Sequence, residues 1–196
     1  MRVYNEEQLA AESRQLSRSA RAVFAAACAE RLWPLVERYA TSVPMPAGQV
    51  QVLRRALDAV WDVVCGTSAD LVGVQETAES LVPREDDDWV LEAGYAQNAI
   101  AAIAYAARAW LTDDPQEAVW AARQVYEAAD YGAQQRDGSI QKLYSAAVEE
   151  ELLESTVVQA ALEAISDDLE AARVDSAANM RRRSRAEARA FAGLFP

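Results

Sequence analysis

Apolar positions recur along this chain at steps of three and four, the spacing of helical faces and not of strands. The most apolar stretch runs from Asp86 to Leu111. Trp89, Ala93, Ala96, Ile100, Ile103, Ala107 and Trp110 share one face of it, and the opposite face carries Tyr95, Ala99, Ala102 and Ala106. No charge lies between Glu92 and Arg108. A helix apolar on all sides is either a membrane span or the buried centre of an all-α domain. The uncharged run falls short of the ~20 apolar residues a span requires, and Gln97 and Asn98 interrupt it. The pattern therefore predicts a buried, alanine-rich central helix with the remaining helices packed around it.

Residues 5–41 read as one long helix or two joined ones, polar at first and sharpening to an apolar face at Phe24, Cys28, Leu32, Leu35 and Tyr39. Pro34 removes a backbone donor there and predicts a kink near Leu32 or Trp33. Thr41–Gly48 is a linker. Helices are expected over about 49–65, with Leu53, Leu57, Val60, Trp61 and Val64 inward, and over about 68–81, ended by Pro83. The acidic run Glu85–Asp88 suits the first turn of the central helix. Asp114, Pro115 and Glu117 have the spacing of an N-cap, a first helical residue and the partner in a capping box, opening a helix to about Gln134. Arg136–Ser139 is a turn, and a single long helix is expected from there to about Arg173, inward at Leu143, Ala147, Leu152, Leu162, Ile165 and Leu169. Residues 176–196 form either a last basic helix or a frayed tail. The expectation is an all-α, single-domain bundle of about six or seven helices spanning 1–196, with residues 1–20 as a polar N-terminal arm.

Glycine (7) and proline (6) are scarce and sit between the periodic segments, which supports long helices. No apolar run follows a basic N-terminal patch and no segment is suited to cross a bilayer, so a cytoplasmic location is expected. Cys28 and Cys65 both fall among apolar neighbours and read as reduced core residues. The chain contains no histidine, which removes Ser-His-Asp and Cys-His catalysis and His-ligated metal sites. The formal net charge is −12, yet five arginines stand against one glutamate between Ser176 and Pro196, so the rest of the chain is more acidic than the total. Such a body repels nucleic acid and anionic membrane and attracts basic partners.

Two segments together are distinctive: Phe24–Pro34, reading Phe-Ala-Ala-Ala-Cys-Ala-Glu-Arg-Leu-Trp-Pro, and Leu53–Asp62, reading Leu-Arg-Arg-Ala-Leu-Asp-Ala-Val-Trp-Asp. They are followed by Pro83 with its acidic turn, an alanine-rich helix containing Gly94-Tyr95, and a helix opening near Glu117. In this order the chain resembles the YjaG-like family of bacterial proteins (domain of unknown function 416) over roughly residues 20–165. The resemblance implies an all-helical cytoplasmic protein, and it supplies no catalytic residue.

One constellation could carry chemistry. Glu150, Glu151 and Glu154 form an E-E-x-x-E on a helix, the kind of carboxylate cluster that holds Mg²⁺ in all-α nucleotide pyrophosphohydrolases. The E-x-x-D such a site needs does not follow it; the one on a neighbouring helix, Glu127 and Asp130, lies upstream. The alternative for all five acids is a solvated helix face. Arg54 and Asp58 are spaced for a structural i,i+4 pair, and a buried Asn98 or Gln97 would fix packing or line a small pocket. Arg181–Arg185 is better placed to dock on the chain's own acids than on nucleic acid, and Trp120, at the edge of its stripe, could anchor an interface. The reading that fits best is a non-enzymatic helical module, with no cofactor, that binds a basic protein, as an inhibitor or immunity-type protein covers its target. A homodimer is compatible with this composition. The alternative is a Mg²⁺-dependent hydrolase of nucleotides or phosphoesters using Glu127, Asp130, Glu150, Glu151 and Glu154.

Overall fold

Alanine makes the core of this protein a close meeting of helices. The computed structural model describes residues 1–43, 45–46, 48–84, 90–136 and 146–196. Among the described residues the chain forms α1 (Glu6–Ser13), α2 (Arg18–Ser42), α3 (Gln49–Val64), α4 (Leu71–Leu81), α5 (Leu91–Leu111), α6 (Pro115–Arg136), α7 (Ala146–Glu154), α8 (Thr156–Val174) and α9 (Ala177–Ala192), with no strand. The all-α bundle is as expected. The start of the central helix, with Trp89 and the acidic run 85–88, falls outside the described residues, as do the 137–139 part of the expected turn, Leu143 and the side chain of Ala147.

The centre is shared between two helices. Ala96, Ala99, Ala102, Ile103, Ala106 and Ala107 of α5 are buried, and so are Ala22, Phe24, Ala25, Ala26, Ala29 and Leu32 of α2, its most extensive neighbour. Side chains that end at Cβ let two helix backbones approach closely. They also lose no rotamer entropy on burial, so the close approach adds nothing to that cost. α4 and α6 cover other sides of α5, while α3, α8 and α9 lie against α2. α2 runs through Pro34 and continues to Ser42.

Helix boundaries explain where the structure departs from the sequence pattern. Ser17 accepts a hydrogen bond from the Ala20 N–H and starts α2, while Asn5 does the same for α1 from Gln8. The two joined helices of the N-terminal region are therefore separate. The single helix expected to Arg173 is also two, because Ser155 leaves helical geometry and caps α8 by accepting from the Val158 N–H. Such caps satisfy amides that the helix itself cannot. These two breaks raise the number of helices above the six or seven anticipated.

The segment expected as a polar arm lies against the bundle. Leu9 and Ala10 are buried, Tyr4 stacks on Tyr126 at 4.6 Å between ring centroids, and the Arg2 backbone exchanges two hydrogen bonds with Gln159. The Arg14–Ser17 turn is then clipped to the α5–α6 turn. Arg18 Nε donates to the Trp110 carbonyl at 2.6 Å, and Arg21 reaches both the Asp113 carboxylate and, at 2.7 Å, the Leu16 carbonyl. Asp113 sits in the left-handed region at φ +59°. It is a conformation unusual for a residue with a side chain, and the Arg21 contact holds it.

The capping box at α6 is only half made. Asp114 Oδ1 accepts from the Gln116 N–H at 2.9 Å, but Glu117 turns away from the cap. Its Oε1 accepts from Arg108 Nη2 at 2.6 Å, and its buried Oε2 has no hydrogen-bond partner. Burial therefore pushes the Glu117 carboxyl up, against the opposing effect of Arg108. The cysteines also differ from expectation: Cys28 is buried, whereas Cys65 at the end of α3 is exposed, because α3's apolar face has ended at Val64.

Gly94 lies directly against a side chain of α6. A Cβ there would stand 2.5 Å from Tyr131 Cε1 and 2.9 Å from its Cζ, and the Tyr131 ring meets Tyr95 edge-on at 5.4 Å. Gly94→Ala should therefore displace an aromatic ring that packs the core. A loss of about 1–3 kcal/mol is expected in urea or thermal unfolding, and an unchanged midpoint would show that Tyr131 swings aside without cost.

Candidate functional site

The two segments that set this chain apart, Phe24–Pro34 and Leu53–Asp62, meet in space around one buried carboxylate. Glu30 lies on the α2 face turned toward α3 and is only 2% exposed. Arg54 grips it with both ends of the guanidinium, Nη1 to Oε1 and Nη2 to Oε2, each at 2.8 Å. The Trp61 indole N–H donates to Oε2 at 2.8 Å. A bidentate pair with an added neutral donor is the arrangement that offsets the cost of burying a carboxylate. Arg54 also lies over the Trp33 ring at 4.9 Å, so its apolar faces are covered as its edges are bonded.

Asp58, one turn along α3 from Arg54, extends the network outward. It accepts from Arg54 Nη2 at 2.9 Å and from Arg181 Nη2 at 2.7 Å, and it also takes Arg185. Arg181 continues to Asp62 at 2.9 Å, while Arg185 Nε returns to Glu30 at 3.1 Å. Burial alone would raise the Asp58 carboxyl, but hydrogen bonds from Arg54 and Arg181 outweigh it and hold the group below its usual range.

A second network begins at the next residue of α2. Arg31 is buried and donates from Nε and Nη2 to Asp168 Oδ2 at 3.1 and 2.8 Å. Asp168, on α8, is 1% exposed and takes Arg183 on its other oxygen at 2.7 Å. Glu187 of α9 closes the group, 3.0 Å from Arg31. Neighbouring opposite charges on α2 thus point to different helices, Glu30 to α3 and Arg31 to α8, and α9 bridges both.

Two surface grooves border these networks. One, of about 550 Å³, lies between α2, α3 and α9 over Trp33 and Pro34, beside Glu30, Arg54 and Arg185. The other, of about 460 Å³, lies between α8 and α9. Ala160, Ala164, Ala190 and Phe191 line it, and Glu163 and Asp167 stand among its walls.

The acids considered as a Mg²⁺ site are placed differently. On α6, Arg123 Nε donates to Glu127 Oε1 at 2.6 Å, and Gln134 donates to Asp130 at 2.6 Å. Burial raises the Asp130 carboxyl. Glu150, Glu151 and Glu154 are exposed on α7. Among the described residues no group of three or more His, Cys, Asp or Glu side chains is gathered as a metal would need. The polar residues of α5 serve packing: Asn98 donates to the Gly94 carbonyl at 3.0 Å, and Gln97 ties the α4–α5 connection by donating to the Pro83 carbonyl. Within residues 176–196, Ala177–Ala192 form α9, and its Arg181, Arg183 and Arg185 dock on the chain's own acids. Trp120 is half-buried against Tyr105, 5.7 Å between ring centroids, within the chain. Among the described residues no helix is long and apolar enough to cross a membrane.

Glu30, Arg31 and Asp168 were not singled out by the sequence reading. The available signal was a charged pair inside a run of small apolar residues, since charged groups buried in such a run must be partnered.

The profile of a protein family described as "Protein of unknown function (DUF416)" matches residues 8–193. The match takes in most of α1 and all of α9, both of which lie beyond the resemblance read from the sequence. The chain is also similar to a solved crystal structure of a DUF416 family protein from Shewanella baltica OS155. The TM-score is 0.75 at 16% identity, covering 93% of this chain and 94% of that one. At that identity the likeness is one of fold. A search of the curated proteins finds no match.

The two networks predict contrasting costs. Asp168→Ala leaves the buried Arg31 with only the half-exposed Glu187 and should cost about 3–5 kcal/mol. Arg185→Ala leaves Glu30 with Arg54 and Trp61 and should cost less than about 1 kcal/mol. Chemical denaturation of both variants checks the contrast, and equal losses would refute it. The depressed Asp58 carboxyl contributes stability that is complete above its unfolded value near ~3.9 and is lost as pH falls through the lower folded value. Melting temperatures followed downward from about pH 4 should therefore fall less steeply for Asp58→Asn than for the unsubstituted protein.

Proposed function

The chain belongs to the DUF416 family, and we propose that it is a cytoplasmic protein-binding module that receives a basic partner on the outer face of α8. The observation that carries this reading is a row of acids. Glu163, Asp167 and Glu170 follow one another at steps of four and three along α8, all exposed. None of the three takes part in an ion pair within the described residues. Elsewhere acids and arginines neutralise each other, at Glu30, Asp58, Asp62, Asp168, Glu12 and Glu117.

Like charges one turn apart repel each other by a few tenths of a kcal/mol, about as much as opposite charges attract. Glu170 also lies one turn from the negative end of the helix, where an anion is disfavoured. A row that is mildly unfavourable in the free protein becomes favourable once arginines or lysines are laid against it. The adjoining α8–α9 groove supplies what charge alone lacks, a small-residue floor of Ala160, Ala164 and Ala190 on which an apolar side chain can settle. Glu150 and Glu154 on α7 add to the same sign of field. An encounter driven by such a field is fast at low salt and slows steeply as salt is added.

The test is capture from a native lysate by the immobilised protein, beside the triple charge reversal Glu163→Lys, Asp167→Lys and Glu170→Lys. A basic protein should be retained at low salt, released by about 0.5 M salt, and bound at least about tenfold more weakly by the triple variant. A partner that is neutral or acidic, or one the variant retains as well, would sink the reading.

A further inference from the structure

We infer that α9 is a salt-releasable latch, docked on an arginine seat formed by α2, α3 and α8 that is already complete without it. This rests on the contacts of α9 itself and not on the outer face of α8. The buried carboxylates of the seat are satisfied from within the body. Glu30 has both oxygens engaged by Arg54 and one by Trp61. Asp168 has Oδ2 engaged by two donors of Arg31. What α9 adds is supernumerary: Arg185 is a further cation on Glu30, Arg183 takes the remaining oxygen of Asp168, Arg181 joins Arg54 on Asp58, and Glu187 is a second carboxylate on Arg31.

Burial separates the two sets of charges. The side chains of Arg31, Asp168 and Glu30 are 5%, 1% and 3% exposed, whereas those of Arg181, Arg183 and Arg185 are 23%, 33% and 44% exposed. Water and salt therefore reach the contacts made by α9 and hardly reach those beneath. When α9 leaves, no buried charge is orphaned, and the large penalty for breaking a buried pair is not incurred. Release also relieves a defect of the docked state. The Nε atoms of Arg181 and Arg183 are buried without hydrogen-bond partners, and water would satisfy both.

Apolar contacts oppose release: Met180, Phe191 and Phe195 are buried against the body. The balance between them and the screened arginine pairs makes the docking of α9 depend on ionic strength in a way the α2–α5 core does not. Once vacated, the seat presents Asp58, Asp62 and one free oxygen of Asp168 beside an apolar socket. It then accepts an arginine-bearing helix in place of α9.

Hydrogen exchange of the full-length protein, followed by mass spectrometry at 0.05 M and 1 M sodium chloride, tests this. Amides of α9 should exchange about tenfold faster at the higher salt, as expected when three partly exposed pairs are screened, while those of α2 and α5 should hold their protection. In the double variant Arg181→Gln, Arg185→Gln, α9 should exchange fast at both salts. Protection of α9 equal to that of α5 at both salts would overturn the proposal. So would a double variant that keeps the protection of the unsubstituted protein.

Discussion

The structure depends on how α2 carries two opposite charges through the middle of an alanine core. Glu30 and Arg31 are adjacent in the chain, and both are buried. Neither charge can be buried in an apolar interior at acceptable cost unless a partner is brought to it, because isolated buried charge costs several kcal/mol even after relaxation. Adjacent residues on a helix project about 100° apart, so the two charges draw their closest partners from different helices, with α9 reaching both. One draws in Arg54 and Trp61 of α3, the other Asp168 of α8. The pairs add little net stability over apolar replacements, but they penalise any arrangement in which α3 or α8 is shifted along α2.

Alanine supplies the complementary constraint. The α2–α5 contact buries side chains with almost no shape of their own, which permits close approach and specifies register weakly. Register is then set by the few features that do have shape or direction. These include the bare Gly94 under the Tyr131 ring, the Arg21 and Arg18 clips between turns, and the two ion-pair networks. A core of small residues with sparse, directional polar contacts is how an alanine-rich chain selects one bundle among several of similar packing.

The same division governs the surface. Where an arginine meets a carboxylate inside the fold, both are consumed, and the strongly negative chain is left with an excess on helices poor in arginine: α7 has none and α8 only Arg173, itself paired with Glu12. α9 has the reverse composition and is consumed against α2, α3 and α8. Family membership extends over both ends of the chain, so this basic helix is part of what the family profile describes.

Much of the fold was legible in the sequence, and the reasons are local. Period and capping belong to stretches of ten to twenty residues. On that basis the all-α class, the buried alanine helix ending at Leu111, the α3 boundaries and the Arg54–Asp58 pair are readable from the chain alone. Ser155 and Ser17 were readable too, since serine at a helix start carries its own signal, but continuous apolar spacing on either side masked it. The outcome for Glu30, Arg31 and Asp168 was not. Arg31 and Asp168 lie 137 residues apart, and no period or motif links them. Glu117 could have capped its own helix, and it turns to Arg108 because that arginine is brought beside it when α5 and α6 pack. The sequence by itself determined which segments are helices and which faces are apolar, since both follow from short-range spacing. Which charges are buried, and against whom, was decided only when distant helices came together, because a charge takes its partner from the neighbours that packing provides.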